Sequence, residues 1–158
     1  MCVRLLVVDL PESSHLQPDL SIPLEEAKRG FVLFNAKGRC SSCHEGWNFS
    51  NEGFHDIGLA SPDVGRGQFL RNVSKMQHAF KTPGLREITR RSPFMHDGSL
   101  ATLEAVVDHY DRGGVDRPSR SDLVKPLGLT PQEKSEMVAF LKTLSSNLDP
   151  TTVPVLPR

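Results

Sequence analysis

Apolar residues recur at helical spacing in three stretches of the chain. Leu24, Ala27, Phe31 and Phe34 follow one another at three- and four-residue steps, which predicts a helix over roughly 23–36 with one apolar face. Pro23 suits the first helical position, and Glu25 and Glu26 suit the positive end of the helix dipole; Gly38 is the expected stop. A second helix is predicted from Leu103, Val106, Val107 and Tyr110, spaced i, i+3, i+4, i+7, with Ser99 as its expected cap and Gly113-Gly114 as its end. The third opens on Thr130-Pro131-Gln132-Glu133, a capping box with proline at the first helical position, and carries Met137, Phe140, Leu141 and Leu144 on one face to about residue 145.

No period survives between these stretches. Residues 45–79 are rich in Gly, Asn, Ser and Asp, and a loop of that length in a compact domain is expected to wrap around something. Lys81-Thr82-Pro83-Gly84 reads as a turn, Leu85 to Thr89 as a short helical turn, and 115–129 as a polar loop. Residues 1–22 and 147–158 carry prolines and no clean pattern, so they are expected to be an irregular arm and tail. The fold class expected is all-α: three or more helices joined by long loops.

Composition sharpens this picture. The 158 residues are one domain's worth, and 37% hydrophobic content is at the low edge for a globular chain. A core this thin gains from a bound cofactor. Lys plus Arg and Asp plus Glu are 19 each, so no basic excess points to a nucleic-acid partner. No apolar run approaches the ~18–20 residues of a membrane span. The N-terminal apolar stretch, Leu5 to Val8, is shorter than the ~7–15 residues of a secretory leader's core, so no signal peptide is expected in this chain.

Cys2, Cys40 and Cys43 are three cysteines, an odd number that excludes a closed disulfide framework, and Cys2 has no visible partner. Cys40-Ser41-Ser42-Cys43-His44 has the C-x-x-C-H spacing of covalent haem c attachment. Two thiols about one turn apart can add across the two vinyl groups of one porphyrin. The histidine directly after the second thiol then lies under the iron as the proximal ligand. Two other chemistries compete. Half of a zinc site would need a second pair of ligands from isolated histidines. A thioredoxin-like redox pair would need a preceding strand and a βαβ pattern, neither of which is visible. Trp47, three positions after His44, is expected to pack against the haem or the core.

An electron-transfer haem is usually six-coordinate. The candidates for the sixth ligand are Met76, Met95, Met137, His15, His55, His78, His96, His109 and Tyr110. Met137 belongs to a helix stripe and reads as core. His109 sits about 240° round the helix from Leu103, off the apolar face, whereas Tyr110 lies about 20° from Leu103 and on it. Met95 lies in a loop next to His96.

Together with Cys40–His44, three further blocks resemble the bacterial dihaem cytochrome c peroxidase family, which includes the MauG branch. They are Phe80-Lys81-Thr82-Pro83-Gly84-Leu85-Arg86, Pro93-Phe94-Met95-His96-Asp97-Gly98, and Thr102 through Gly114. The resemblance covers roughly residues 24–145 and is to the C-terminal haem domain of those enzymes. It implies a cytochrome c-like helical domain over 23–146 with haem-wrapping loops, one covalent haem c, and His44 as proximal ligand. It puts the sixth ligand at Tyr110, a position held by Met in typical peroxidases and by Tyr in the MauG branch. Met95 and His96 match a turn near the haem, and Arg86 matches an arginine able to fork onto a propionate. Calcium is implied only with a partner domain, to which Arg91 and Pro93 would offer backbone carbonyls.

In that family the peroxide-reactive haem and its acid and distal groups belong to the other domain. Only 39 residues precede Cys40, so no catalytic residue is expected here. The function expected is an electron-transfer haem domain of a peroxidase- or MauG-like oxidoreductase, working with a second haem domain or a redox-partner protein. A tyrosinate ligand is anionic and hard, so it would favour ferric iron and suit holding oxidising equivalents. The alternatives are a stand-alone single-haem peroxidase with a labile distal ligand and a zinc-binding interaction domain. Covalent haem attachment implies a periplasmic location, in tension with the absent leader.

Overall fold

The structure is a computed structural model and describes residues 22–146. The tail 147–158 and all of the N-terminal arm except Ile22 lie outside the described residues, and with them Cys2 and His15.

Three helices form the frame: α1, Leu24–Asn35; α2, Leu103–Arg112; and α3, Pro131–Lys142. Each matches a predicted helix, with shifted ends. Pro23 caps α1 rather than opening it, and α3 stops at Lys142, where Thr143 N–H turns back to the Phe140 carbonyl at 2.9 Å. Ser99 does not cap α2. Thr102 does, its Oγ1 accepting from Ala105 N–H at 3.1 Å; the cap sits where the chain leaves extended geometry, directly before Leu103. The capping box of α3 forms in full, with Glu133 N–H donating to Thr130 Oγ1 at 3.2 Å and Thr130 N–H to Glu133 Oε2 at 2.7 Å.

Helices α1 and α3 cross closely at Gly30. A Cβ built there would lie 1.9 Å from the Glu136 carbonyl oxygen and 2.8 Å from Phe140 Cβ, so only glycine permits the approach. The crossing is sealed by Phe34 against Phe140, ring centroids 5.1 Å apart and edge-on, and by Arg29 Nε donating to Glu136 Oε1 at 2.5 Å. The buried core runs from Phe34 through Leu103 and Val107 of α2 to Met137, Phe140 and Leu141 of α3.

The long loops contain one feature that the all-α expectation did not include. Strand β1, Phe54–His55, pairs antiparallel with β2, Phe80–Lys81, so Lys81 belongs to a ribbon rather than to a turn. The expected helical turn after Leu85 is a 3-10 turn at Ile88–Arg91.

The loop 45–79 is fastened at Asp56, which is only 1% exposed. Arg117 donates to its carboxylate through Nε at 2.7 Å and Nη2 at 2.5 Å, Ser119 Oγ at 2.7 Å, and Gly58 N–H at 2.8 Å. Burial pushes the Asp56 carboxyl up, but these donors outweigh it and hold it below the ordinary carboxylate range. Nearby His109, expected off the apolar face, is nonetheless buried: its Nε2 donates to the Ile57 carbonyl at 3.0 Å. The first long loop is therefore tied both to the loop 115–129 and to α2.

Candidate functional site

The segment after α1 folds into a 3-10 turn at Cys40–Ser42, entered through Arg39 in the left-handed region at φ 54°. Cys43 N–H and His44 N–H both donate to the Cys40 carbonyl, at 3.2 and 2.9 Å, which sets the two thiols one turn apart. The chain then doubles back, with Asn51 N–H on the Cys43 carbonyl at 2.8 Å and Ser50 Oγ on the Thr82 carbonyl at 2.8 Å.

That return loop orients the imidazole. His44 Nδ1 lies 2.8 Å from the Phe49 carbonyl, so the proton sits on Nδ1 and the lone pair on Nε2. Burial pulls the His44 pKa down, and the Phe49 and Pro83 carbonyls partly restore it, which keeps the ring neutral and able to bind a metal. Desolvation pushes the Cys40 thiol up to about 12, and burial raises Cys43 as well. Both sulfurs are therefore thiols rather than standing thiolates.

These groups face a cavity of about 400 Å³ with largely apolar walls. Phe34, Leu103, Val107, Met137 and Leu141 bring the core to its surface, so Met137 is both core and wall. Tyr110 enters from α2. Its pKa is raised, first by desolvation and then by the nearby Cys40 and Cys43. A phenol enclosed in this way can bind a cation as phenolate, because the metal's charge opposes the desolvation penalty. Met95 and His96 also line the cavity. Their turn is closed by Phe94 N–H on the Leu100 carbonyl at 2.6 Å. Met95 sits at φ 71°, a left-handed position uncommon outside glycine, and His96 stacks on Phe80 with ring centroids 3.6 Å apart.

Six of the eight residues singled out as cofactor-binding therefore line one cavity: Cys40, Cys43, His44, Met95, His96 and Tyr110. Trp47 and Arg86 do not. Trp47 is 82% exposed and does not pack into the core, because its short turn projects it outward. Arg86 is spent elsewhere, with Nε donating to the Trp47 carbonyl at 2.9 Å and its guanidinium over the Phe49 ring. Among the described residues no three His, Cys, Asp or Glu side chains gather to hold a metal ion, so the cysteine pair has no second pair of zinc ligands beside it.

Sequence reasoning gave His55 only a place among the sixth-ligand candidates. It lines the cavity too, and its Nε2 is buried without a hydrogen-bond partner. Nothing in a two-residue strand advertises that position.

The pattern of the Cytochrome c family matches residues 27–145. The chain belongs to the cytochrome c family. Haem c is the cofactor of that family, and the donor set fits it: two free thiols, an imidazole with its lone pair free and a half-buried phenol line one apolar cavity. The chain is 49% identical over 134 residues to the methylamine utilization protein MauG of Methylorubrum extorquens, covering 84% of this chain and 38% of that protein. A cytochrome-c peroxidase of Denitromonas iodatirespirans is 36% identical, over 76% of this chain and 40% of its own length. The crystal structure of a MauG-like protein associated with microbial copper homeostasis superposes with a TM-score of 0.68 and 31% identity, covering 77% of this chain and 47% of that one. The chain is thus homologous to MauG and the bacterial cytochrome c peroxidases, and spans about two-fifths of the length of the curated relatives it matches. No helix among the described residues is long and apolar enough to cross a membrane.

Proposed function

We propose that this chain is the electron-transfer haem domain of a dihaem peroxidase- or MauG-like oxidoreductase, working in the periplasm beside a second haem domain. One haem c would be held by thioethers to Cys40 and Cys43, with His44 Nε2 and the Tyr110 phenol as the groups able to ligate its iron. The observation that carries this reading is the convergence of both thiols, a tautomer-fixed imidazole and a half-buried phenol on the wall of one apolar cavity.

A bound haem supplies one-electron chemistry; the chain's residues set its terms. The Phe49 carbonyl keeps His44 oriented and basic. The apolar wall of Leu103, Val107 and Leu141 excludes water. Tyr110 as a second ligand would leave no open site for peroxide, so the domain would relay electrons or hold oxidising equivalents for a partner. Met95 offers a second reading of the sixth ligand, because it faces the same cavity.

The test is the optical spectrum of the chain matured with a haem-attachment system, ferric and ferrous. A six-coordinate ferric haem c that reacts sluggishly with peroxide is expected. A five-coordinate high-spin ferric haem with fast peroxide reaction would make the chain a single-haem peroxidase instead.

A further inference from the structure

The cavity wall has a charge imbalance that none of the roles above uses. Four cationic side chains line it, Arg39, Lys81, Arg91 and Lys125, and no carboxylate does. An apolar cavity lined by cationic side chains and by no carboxylate is complementary to a dianion. Haem c is one, through its two propionates. This step rests on the haem reading above.

The four cations are not equivalent. In a haem the vinyl groups and the propionates occupy opposite edges of the ring. Arg39 directly precedes Cys40, so it belongs to the edge where the thioethers would form. Arg91 is already committed, with Nη2 donating to the Gly84 and Arg86 carbonyls at 2.5 and 2.8 Å. Lys125 has no partner among the described residues, and its segment follows the one tied to Asp56 by Arg117 and Ser119. Lys81 pairs with Glu52 in a contact in which both side chains are at least half exposed, and such a pair holds a lysine weakly.

We infer that Lys81 and Lys125 are the propionate-binding residues of this domain, receiving the edge of the haem remote from the thioethers. Each lysine keeps a propionate ionised at neutral pH and disfavours the extra positive charge of ferric iron. Removing one therefore has two linked effects. The midpoint potential falls, and the orphaned propionate, enclosed in an apolar site, takes up a proton closer to neutrality and makes the potential pH-dependent there.

The experiment is redox titration across neutral pH of the full matured chain, comparing the parent with Lys81→Gln, Lys125→Gln and the surface control Lys28→Gln. Intact mass is measured on every sample. Both lysines are solvent-exposed at the cavity mouth, so folding is retained. The slope is read as a difference from the parent, because His55, His96 and Tyr110 face the same cavity in every variant. The expected result is a haem adduct throughout, with a lowered potential and a new pH slope in Lys81→Gln and Lys125→Gln alone, and parent behaviour restored in Lys125→Arg. Potentials and slopes equal to the parent's, with the adduct present, would overturn the inference and leave the haem reading standing. No adduct in the parent would overturn both.

Discussion

At Tyr110 one oxygen atom separates packing from ligation. The ring belongs to the apolar face of α2 with Leu103 and Val107, while its hydroxyl is what a metal would bind. Tyr110→Phe keeps nearly all the packing, so fold and haem content are expected to survive. The ferric spectrum should become five-coordinate or water-ligated, and reduction should become easier as an anionic ligand is lost. Met95→Leu should leave the spectrum unchanged. An unchanged spectrum in Tyr110→Phe, with the sixth ligand lost in Met95→Leu, would move the assignment to Met95. Asp56 acts on stability instead. Asp56→Asn removes the negative charge and one of the two acceptor oxygens of a buried ion pair, and should cost about 3 kcal/mol in denaturant unfolding at neutral pH. Its carboxyl titrates lower folded than unfolded, so its contribution is complete above about pH 4 and is lost as pH falls through the lowered value. Parent and Asp56→Asn should therefore converge in stability as pH falls below the ordinary carboxylate range and Asp56 protonates in the folded state. Cys40, Cys43 and His44 are legible from sequence because their chemistry is local to five residues. Asp56 is not, because Arg117 and Ser119 lie 61 and 63 positions away.

The helices were legible because their apolar faces repeat every three or four residues, and Thr130 and Glu133 announce their own capping box. Their packing was not. Nothing around Gly30 distinguishes a helix-crossing glycine from an ordinary one until α3 is laid across it. Gly30→Ala should force α1 and α3 apart and cost about 3 kcal/mol in a thermal or denaturant melt. The exposed neighbour Lys28→Ala should change stability by no more than about 0.5 kcal/mol. Thr130→Ala should cost about 1 kcal/mol by removing one cap hydrogen bond. The ribbon of Phe54–His55 with Phe80–Lys81 escaped sequence reading because two residues a strand are too few to show alternation. Its consequence is functional, since it sets His55, Phe80 and Lys81 on the cavity wall.

At the scale of the whole molecule, the long loops that show no period in the sequence enclose a site. Their fastenings at Asp56, His109 and the Phe94–Leu100 bridge hold the wall that the helices leave open. With Tyr110 in the sixth position, the matured chain alone should oxidise a small reductant with peroxide no faster than a free haem peptide does. A rate higher by orders of magnitude would place the peroxide site in this domain. Covalent haem in this cavity underlies all of these expectations, and intact mass after acid extraction reads it out. The matured parent should have the mass of the polypeptide plus one haem, and the double variant Cys40→Ala, Cys43→Ala that of the bare polypeptide. A parent with no adduct, or a double variant that keeps one, would contradict it.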